Sequence, residues 1–289
     1  MQTEEAFNIK NYSDREGLEN NLHHCTLFIH FSENSISFVT ANKNHNQVLG
    51  LQIIEEKSKN IFRKTFAELG LMFDSIVLDK SAYANIKIVI ENNCHALIPD
   101  PLFAGDKAES FLKLNTFVNE NHHVLFNRLQ KNVVSVFALN KSFYESLKQY
   151  FPQSEIIHET ELLLSILYAI DVKDKTENLF VNVHETYIDI ALTKDNNIRY
   201  LNTFITEADT DIIYFILTVA EELKLNQDKF KLILLGNVNA NGSLIGLMKK
   251  YISNVELIKR SELFSYPASF REFAEHQYFL QTNSLNCAS

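Results

Sequence analysis

The sequence predicts an α/β protein of two lobes with a cleft between them, each lobe built on the same β-β-β-α-β unit. Three observations carry this. The stretch Leu27-Phe28-Ile29-His30-Phe31-Ser32-Glu33-Asn34-Ser35-Ile36-Ser37-Phe38 aligns without a gap on Leu179-Phe180-Val181-Asn182-Val183-His184-Glu185-Thr186-Tyr187-Ile188-Asp189-Ile190, at an offset of 152 residues. Both blocks alternate apolar and polar residues in phase, the period of paired strands. Each is followed by a third apolar run, Val48 to Ile54 and Ile198 to Ile205, then by a helical stretch and another buried strand. Self-similarity on this scale marks a duplicated structural unit.

Composition supports two lobes of ordinary size. A chain of 289 residues, 46% apolar, can bury a substantial core. The net charge of −9 repels phosphate backbones, and no basic run interleaved with aromatics offsets it, so no nucleic-acid partner is expected. Only seven glycines are present, few for a chain that must wrap its backbone around phosphates. Cys25, Cys94 and Cys287 are far apart and odd in number, which suits reduced thiols. Residues 1–20 lack the pattern of a signal peptide, and Ile212 to Ala220, the longest apolar stretch, is too short to span a bilayer. A cytoplasmic protein with no membrane partner is expected.

Along the chain, residues 1–20 read as a polar N-terminal arm and 21–171 as the first lobe. Leu22 to Phe31, Ser35 to Thr40 and Val48 to Ile54 form a meander. Ser58 starts a helix with a stripe of Ile61, Phe62, Thr65, Phe66 and Leu69, closed by Gly70. Ser75 to Leu78 and Ile86 to Ile90 read as strands. Pro99 to Ile170 has no counterpart in the second copy, and within it an inserted α+β subdomain covers about 99–152. There, Asp106 to Leu114 reads as a helix, Val124 to Leu129 and Val133 to Leu139 as a strand pair, and Asn140 caps a helix to Tyr150. Thr160 to Ile170 is a nearly all-apolar helix linking the lobes. The second lobe spans 172–262, with a helix from Asp211 capped by Asp209 or Thr210, a strand at Leu232 to Leu235, a helix at Ser243 to Tyr251 and a strand at Val255 to Ile258. Residues 263–289 read as an amphipathic helix from Pro267 through Leu280 and a tail.

The doubled layout resembles the actin-like ATPase (ribonuclease H-like) fold, found also in sugar kinases and heat-shock chaperones. The resemblance implies that each first hairpin turn should read approximately Asp-x-Gly followed by Ser or Thr. The acid would order Mg²⁺ through water, and the turn's N–H groups would hold phosphate. Position by position, the first copy offers His30 for the acid and Ser32 for the glycine, with Glu33 beside it. The second offers Asn182 for the acid and His184 for the glycine, then Glu185 and Thr186. Only Thr186 is retained in type, and a glutamate stands in each turn. At an effective dielectric near 20, two unit charges about 4 Å apart repel by roughly 4 kcal/mol. One hydroxyl hydrogen bond offsets little of that. Both turns read more simply as ordinary polar hairpin turns. The family's adenosine loop, normally Gly-Gly-x-Ser after a buried strand, is reduced to Gly236 and Asn237, with Gly242 and Ser243 further on. No cofactor is expected.

Other chemistries find less. Two-metal nucleases on this fold core need several acids around the first strand, whereas Cys25 to Phe31 and Leu179 to Val183 contain none and Asp189 stands alone. His23-His24 and His122-His123, read as strand neighbours, point to opposite faces and cannot chelate one ion. No Gly-x-Ser-x-Gly nucleophile elbow occurs. No catalytic or metal-ligating residue is therefore expected.

Pro99-Asp100-Pro101-Leu102-Phe103, Asn202-Thr203-Phe204, Asp211-Ile212-Ile213-Tyr214-Phe215 and Leu234-Leu235-Gly236-Asn237, in that order and spacing, resemble an uncharacterised Bacteroidetes family of actin-like proteins, DUF3822. More remotely the chain is similar to the actin-like components of type IV pilus assembly and bacterial cell division, in which an inserted subdomain occupies the same place. The resemblance implies a binding or assembly module for a cytosolic protein partner, and the missing turn residues point to a catalytically inert one, a pseudo-ATPase. The insertion concentrates aromatic residues, which either pack a small satellite core or present an exposed patch; in the second case whichever of Phe143 and Tyr144 is exposed is expected at the partner surface. Two other readings stay open: a divergent nucleotide-binding switch or ATPase, and a small-molecule sensor using the cleft through Asn34, His184 and Asn237.

Overall fold

In the computed structural model, strand β2 (Thr26–Phe31) and its counterpart β10 (Asn178–Val183) keep the 152-residue offset of the sequence repeat, as do the following strands β3 (Ser35–Asn42) and β11 (Tyr187–Lys194). The structure describes residues 7–13, 22–56, 60–76, 79–170, 177–195, 197–226 and 228–287. The chain divides into two compact units, one of Met1–Leu162, Glu262–Phe270 and Ser284–Ser289, the other of Leu163–Ser261 and Arg271–Asn283. Residues 263–289 are thus shared between the units.

The first unit carries a six-stranded sheet. With β1 (Asn8–Ser13), β4 (Gln47–Glu55), β5 (Asn85–Ile90) and β9 (Glu155–His158), its order is β1-β4-β3-β2-β5-β9. The meander β2-β3-β4 is antiparallel, while β5 joins β2 and β9 joins β5 in parallel. Central position explains why Leu27, Phe28, Ile29 and Phe31 of β2 are all buried: both faces of the strand are covered. Strand β1 lies within the stretch read as an N-terminal arm. It pairs antiparallel with β4, and Lys10 forms an ion pair with Glu55. Residues 14–20 of that arm lie outside the described residues.

Helix α1 (Phe66–Asp74) begins later than its sequence stripe suggests. Thr65 and Glu68 form a capping box, Thr65 Oγ1 accepting from the Glu68 N–H and Glu68 Oε2 accepting from the Thr65 N–H. The expected start at Ser58 lies outside the described residues. Gly70 is inside the helix rather than at its end, and glycine is kept there by the Tyr150 hydroxyl, which fills the space a Cβ would need, 2.5 Å away. That hydroxyl donates to the Phe66 carbonyl. Ser75 caps the end of α1 and Ile76 follows in a bend, where a strand was expected; residues 77–78 are not described.

The added subdomain starts at His95, before the expected Pro99, and its sheet ends at Asn140, before the expected end near 152. Strands β6 (His95–Pro99), β7 (His122–Leu129) and β8 (Val133–Asn140) form a sheet of order β6-β8-β7, covered by α2 (Ala108–Leu112). Ala96, Leu112, Val118, Val134 and Val136 make its own small core. Helix α3 (Lys141–Tyr150), capped by the Asn140 side chain, instead packs on the main core of the unit together with Phe31, Phe73 and Leu139. It stands between β5 and β9 as the second unit's α6 (Ser243–Met248) stands between β13 (Lys231–Gly236) and β14 (Val255–Leu257), so it belongs to the repeat. Helix α4 (Glu159–Ala169) matches the expected linking helix to within one residue at each end.

The second unit has a five-stranded sheet of order β12-β11-β10-β13-β14, where β12 is Asn197–Ile205. Strand order and parallel/antiparallel pattern match β4-β3-β2-β5-β9. Helix α5 (Asp209–Glu222) starts two residues before the expected Asp211, whose carboxylate accepts the N–H groups of Glu207 and Ala208 and so caps the helix from inside. The helix expected from Pro267 to Leu280 does not form. A 3-10 turn at Ala268–Glu272 and the short α7 (Phe279–Thr282) replace it, separated by Tyr278 at φ 52°. Among the described residues no helix is long and apolar enough to cross a membrane.

Candidate functional site

The two first hairpin turns occupy equivalent places in the two sheets. In the first unit, β2 and β3 close on a bond from the Ser32 N–H to the Ser35 carbonyl; in the second, β10 and β11 close on a bond from the His184 N–H to the Tyr187 carbonyl. The residue pair before each turn, Phe31↔Ile36 and Val183↔Ile188, is in the same register. Ser32 and His184 are therefore structural equivalents, as are His30 and Asn182.

In the first unit, His30 is fully buried on β2, and its Nε2 hydrogen-bonds to Ser284 Oγ at 2.8 Å. Ser284 begins a 3-10 turn, Ser284–Cys287, whose end is held by Lys87 Nζ donating to the Cys287 carbonyl at 2.8 Å. Burial pushes the imidazole pKa down to about 3, so the ring is neutral near neutrality. The side chain of Ser32 bonds back onto Ser35, and the Glu33 carboxylate accepts from the Asn60 amide at 3.1 Å. Asn34 gives its carbonyl to the Glu56 N–H. The turn is tied down by its own neighbours.

In the second unit, His184 is stacked on Tyr187 with ring centroids 4.0 Å apart. Its Nε2 lies 2.8 Å from Asp189 Oδ2 and 2.8 Å from the Asn182 amide. Thr203 Oγ1 donates to the other oxygen of Asp189. Nε2 can donate to Asp189 or accept from the Asn182 amide but not both, and Asn182 and Asp189 face each other across β10 and β11. A buried carboxylate satisfied by an imidazole and a hydroxyl is a stable internal network. Glu185 and Thr186 are exposed at the tip, where the Thr186 carbonyl accepts the Thr206 N–H.

The loop after β13 is built around Gly236. Its φ of +85° and the proximity of the Val183 carbonyl and Asn182 Oδ1 exclude any Cβ. The Asn237 N–H donates to the Val183 carbonyl at 2.7 Å, which brings this loop onto β10. His276 then covers the loop: its carbonyl accepts the Gly236 N–H at 3.1 Å, and its Nε2–H donates to the Val238 carbonyl at 2.7 Å. Gly242, at φ −80°, is not held to glycine by its dihedral, but an added Cβ would lie 3.1 Å from the Cβ and the carbonyl oxygen of Asn239; it precedes α6. His276 and Ser284 were missed by the sequence reading, because nothing local in 263–289 indicates which strands that segment returns to.

Several other expectations change. Phe143 is 1% exposed and packs edge-on against Phe31 and Phe62, so it is a core residue and not a partner surface. It faces inward because α3 is a repeat helix laid on the sheet. Tyr144 is partly buried and stacked on His123, with centroids 3.8 Å apart. The exposed apolar residues of the insertion are Leu102, Leu114, Phe117 and, less so, Phe126. His23 and His24 lie on a 3-10 turn, Leu22–His24, with ring centroids 4.1 Å apart, so the opposite-faces argument for a strand does not apply to them. On β7, His122 bonds to Asn119 and His123 stacks on Tyr144, as separate environments.

The duplicated sheets, the strand order and the inserted three-stranded subdomain define an actin-like ATPase fold. The chain belongs to the family described as protein of unknown function (DUF3822), whose model matches residues 16–255. It is similar to a Bacteroides thetaiotaomicron protein with actin-like ATPase fold and unknown function, at a TM-score of 0.75 and 23% identity, covering 92% of this chain and 97% of that one. It is also similar to a chain of a PilM-PilN type IV pilus biogenesis complex, at a TM-score of 0.56 and 10% identity, covering 91% and 98%. No curated protein matches the sequence.

Proposed function

We propose that this chain is a non-catalytic actin-like-fold protein, a pseudo-ATPase that acts by binding a cytosolic protein partner. The observation that carries the first half is the occupancy of the family's phosphate and adenosine positions by the chain's own groups. His30 and Ser284 bond to each other, Asn182, His184, Asp189 and Thr203 are packed within hydrogen-bonding distance of a neighbour in the set, and His276 lies on the Gly236 loop. A Mg²⁺-ordering carboxylate at position 30 or 182 would replace one member of each set. Glu33 and Glu185 add charge repulsion toward a phosphate at either turn. Support for the second half comes from the fold's use in a type IV pilus biogenesis complex, where a similar chain is found together with a protein partner.

The test is a thermal shift with millimolar ATP and Mg²⁺. A ligand at ten times its dissociation constant stabilises by about 1.4 kcal/mol, a shift of a few degrees. The proposal expects none. A reproducible shift with ATP and not with Mg²⁺ alone would restore the nucleotide-switch reading. Purified full-length protein used as bait in its native cytosol is expected to retain one stoichiometric protein.

A further inference from the structure

A cavity of about 530 Å³ lies wholly within the first unit, at the end of the sheet where β5 and β9 begin. That volume falls in the range of small-molecule sites. Its walls come from residues 80–87, leading into β5, and from residues 150–155, which link α3 to β9. One wall is apolar, with Ile86, Tyr150, Phe151 and Pro152. Lys80, Lys87, Asn85 and Gln153 also line it, together with Ser81, Ser154 and Glu155.

The lining of this cavity is more basic than the chain as a whole, although Asp74 and Asp79 stand near its Tyr150 and Tyr83. The protein carries 36 acidic and 27 basic residues, yet two lysines and one glutamate line the cavity. A third lysine stands at its edge: Lys148 Nζ donates to the carbonyl of Ser154, a lining residue, at 3.0 Å. Lys80 Nζ lies 5.3 Å and 5.2 Å from the ring centroids of Tyr150 and Phe151 and donates to the Tyr150 carbonyl at 3.2 Å. An ammonium over the edge of an aromatic wall can pair with an anion whose apolar body lies on the same wall. Lys87 is held in place by Glu155 Oε2 at 2.9 Å and by the Cys287 carbonyl, so Glu155 is already paired. Asp79, next to the wall, accepts the N–H and hydroxyl of Ser81. The hydroxyl of Ser154 is spent on the Phe151 carbonyl. The donors left to address a ligand are therefore the ammonium of Lys80 and the side-chain amides of Asn85 and Gln153, with the Lys87 charge behind them.

We propose that this cavity binds a small organic anion, a carboxylate or phosphate head carried on a flat apolar body. Lys80 and Gln153 take the head, and Tyr150 and Pro152 take the body. The site is separate from both hairpin turns and does not depend on the proposed function.

Isothermal titration of the full-length chain tests this with four probes: phenyl phosphate, phenylacetate, inorganic phosphate and benzyl alcohol. At least one aromatic anion is expected to bind one-to-one with a dissociation constant of about 1 mM or tighter. Inorganic phosphate lacks the body and benzyl alcohol the charge, so each should bind about tenfold more weakly or not at all. Whichever aromatic anion binds more tightly identifies the head group. Lys80→Gln should weaken that anion about tenfold, the scale of one charge-assisted hydrogen bond, and Lys80→Arg should largely restore it. Gln153→Ala, at an exposed loop position, supplies a second variant, expected to weaken binding several-fold without lowering the melting temperature. Failure of both aromatic anions to saturate the protein overturns the proposal. So does binding that neither Lys80→Gln nor Gln153→Ala changes.

Discussion

His30 Nε2 and Ser284 Oγ share a 2.8 Å hydrogen bond across 254 positions of sequence. The bond fixes the C-terminal 3-10 turn on the central strand of the first sheet, at the position where an actin-like ATPase would carry an acid. Since both residues are buried, neither can exchange the bond for water. Ser284→Ala should leave the imidazole nitrogen unpaired and cost about 1–3 kcal/mol, read as a lowered denaturant midpoint with an unchanged slope.

His30 also sets a pH dependence. Its folded pKa, near 3, lies below the unfolded value of 6.5 because burial disfavours the charged ring. Its contribution is full above pH 6.5 and is lost as the pH falls toward 3, with a slope approaching about 1.4 kcal/mol per pH unit. Wild type minus His30→Gln stability, measured by urea unfolding from pH 4 to pH 8, should fall on acidification below 6.5. A difference independent of pH would place the ring in contact with water.

Glu161 pulls the other way. Burial first and the nearby Glu155 second raise its pKa to about 7, against the opposing charge of Lys87. Its Oε2 has no hydrogen-bond partner among the described residues. A carboxyl whose folded pKa is raised favours the fold below its unfolded pKa of 4.5, and that contribution is lost as the pH rises through 7. Glu161→Gln should therefore gain stability relative to wild type as the pH rises from about 4.5 to 8, measured by melting temperature.

Gly236 and Gly246 should respond oppositely to alanine. At Gly236 the positive φ and the Val183 and Asn182 oxygens leave no room for a Cβ, so Gly236→Ala should cost at least about 1–3 kcal/mol. At Gly246, inside α6, nothing lies within 4 Å of the new methyl. Gly246→Ala should stabilise by up to about 1 kcal/mol. Calorimetric melting of the two variants checks both signs.

Phe143→Ala should cost about 3–5 kcal/mol, as for a buried aromatic, because it empties the space between Phe31 and Phe62. Tyr144→Ala, which removes a partly exposed ring stacked on His123, should cost clearly less. Equal losses would mean that the two residues share one buried environment. Chemical denaturation separates them.

Much of the fold is written locally. The strands of both meanders follow from alternation, since a half-buried or buried strand needs apolar residues at fixed spacing whatever surrounds it. Helix starts were legible where a side chain reaches its own backbone, and the Thr65 and Glu68 box was available to a closer reading than the stripe from Ile61 to Leu69. The hairpin turns were legible too, and the absence of an acid at positions 30 and 182 is plain from the repeat alone.

What the sequence determined by itself was the duplication, the strand periodicity and the absence of an Asp-x-Gly pattern at either first turn, because each depends on residues close together or on an in-phase copy. Tertiary structure alone decided that α3 belongs to the repeat, which buries Phe143, and that Asn8–Ser13 extends the first sheet. It also decided that residues 271–287 break their helical pattern at Tyr278 and place His276 on the Gly236 loop and Ser284 on His30. The reason is physical. A helical stripe says that one face will be buried but not against what, and a hydrogen bond spanning 254 residues leaves no trace in the composition or period of either end.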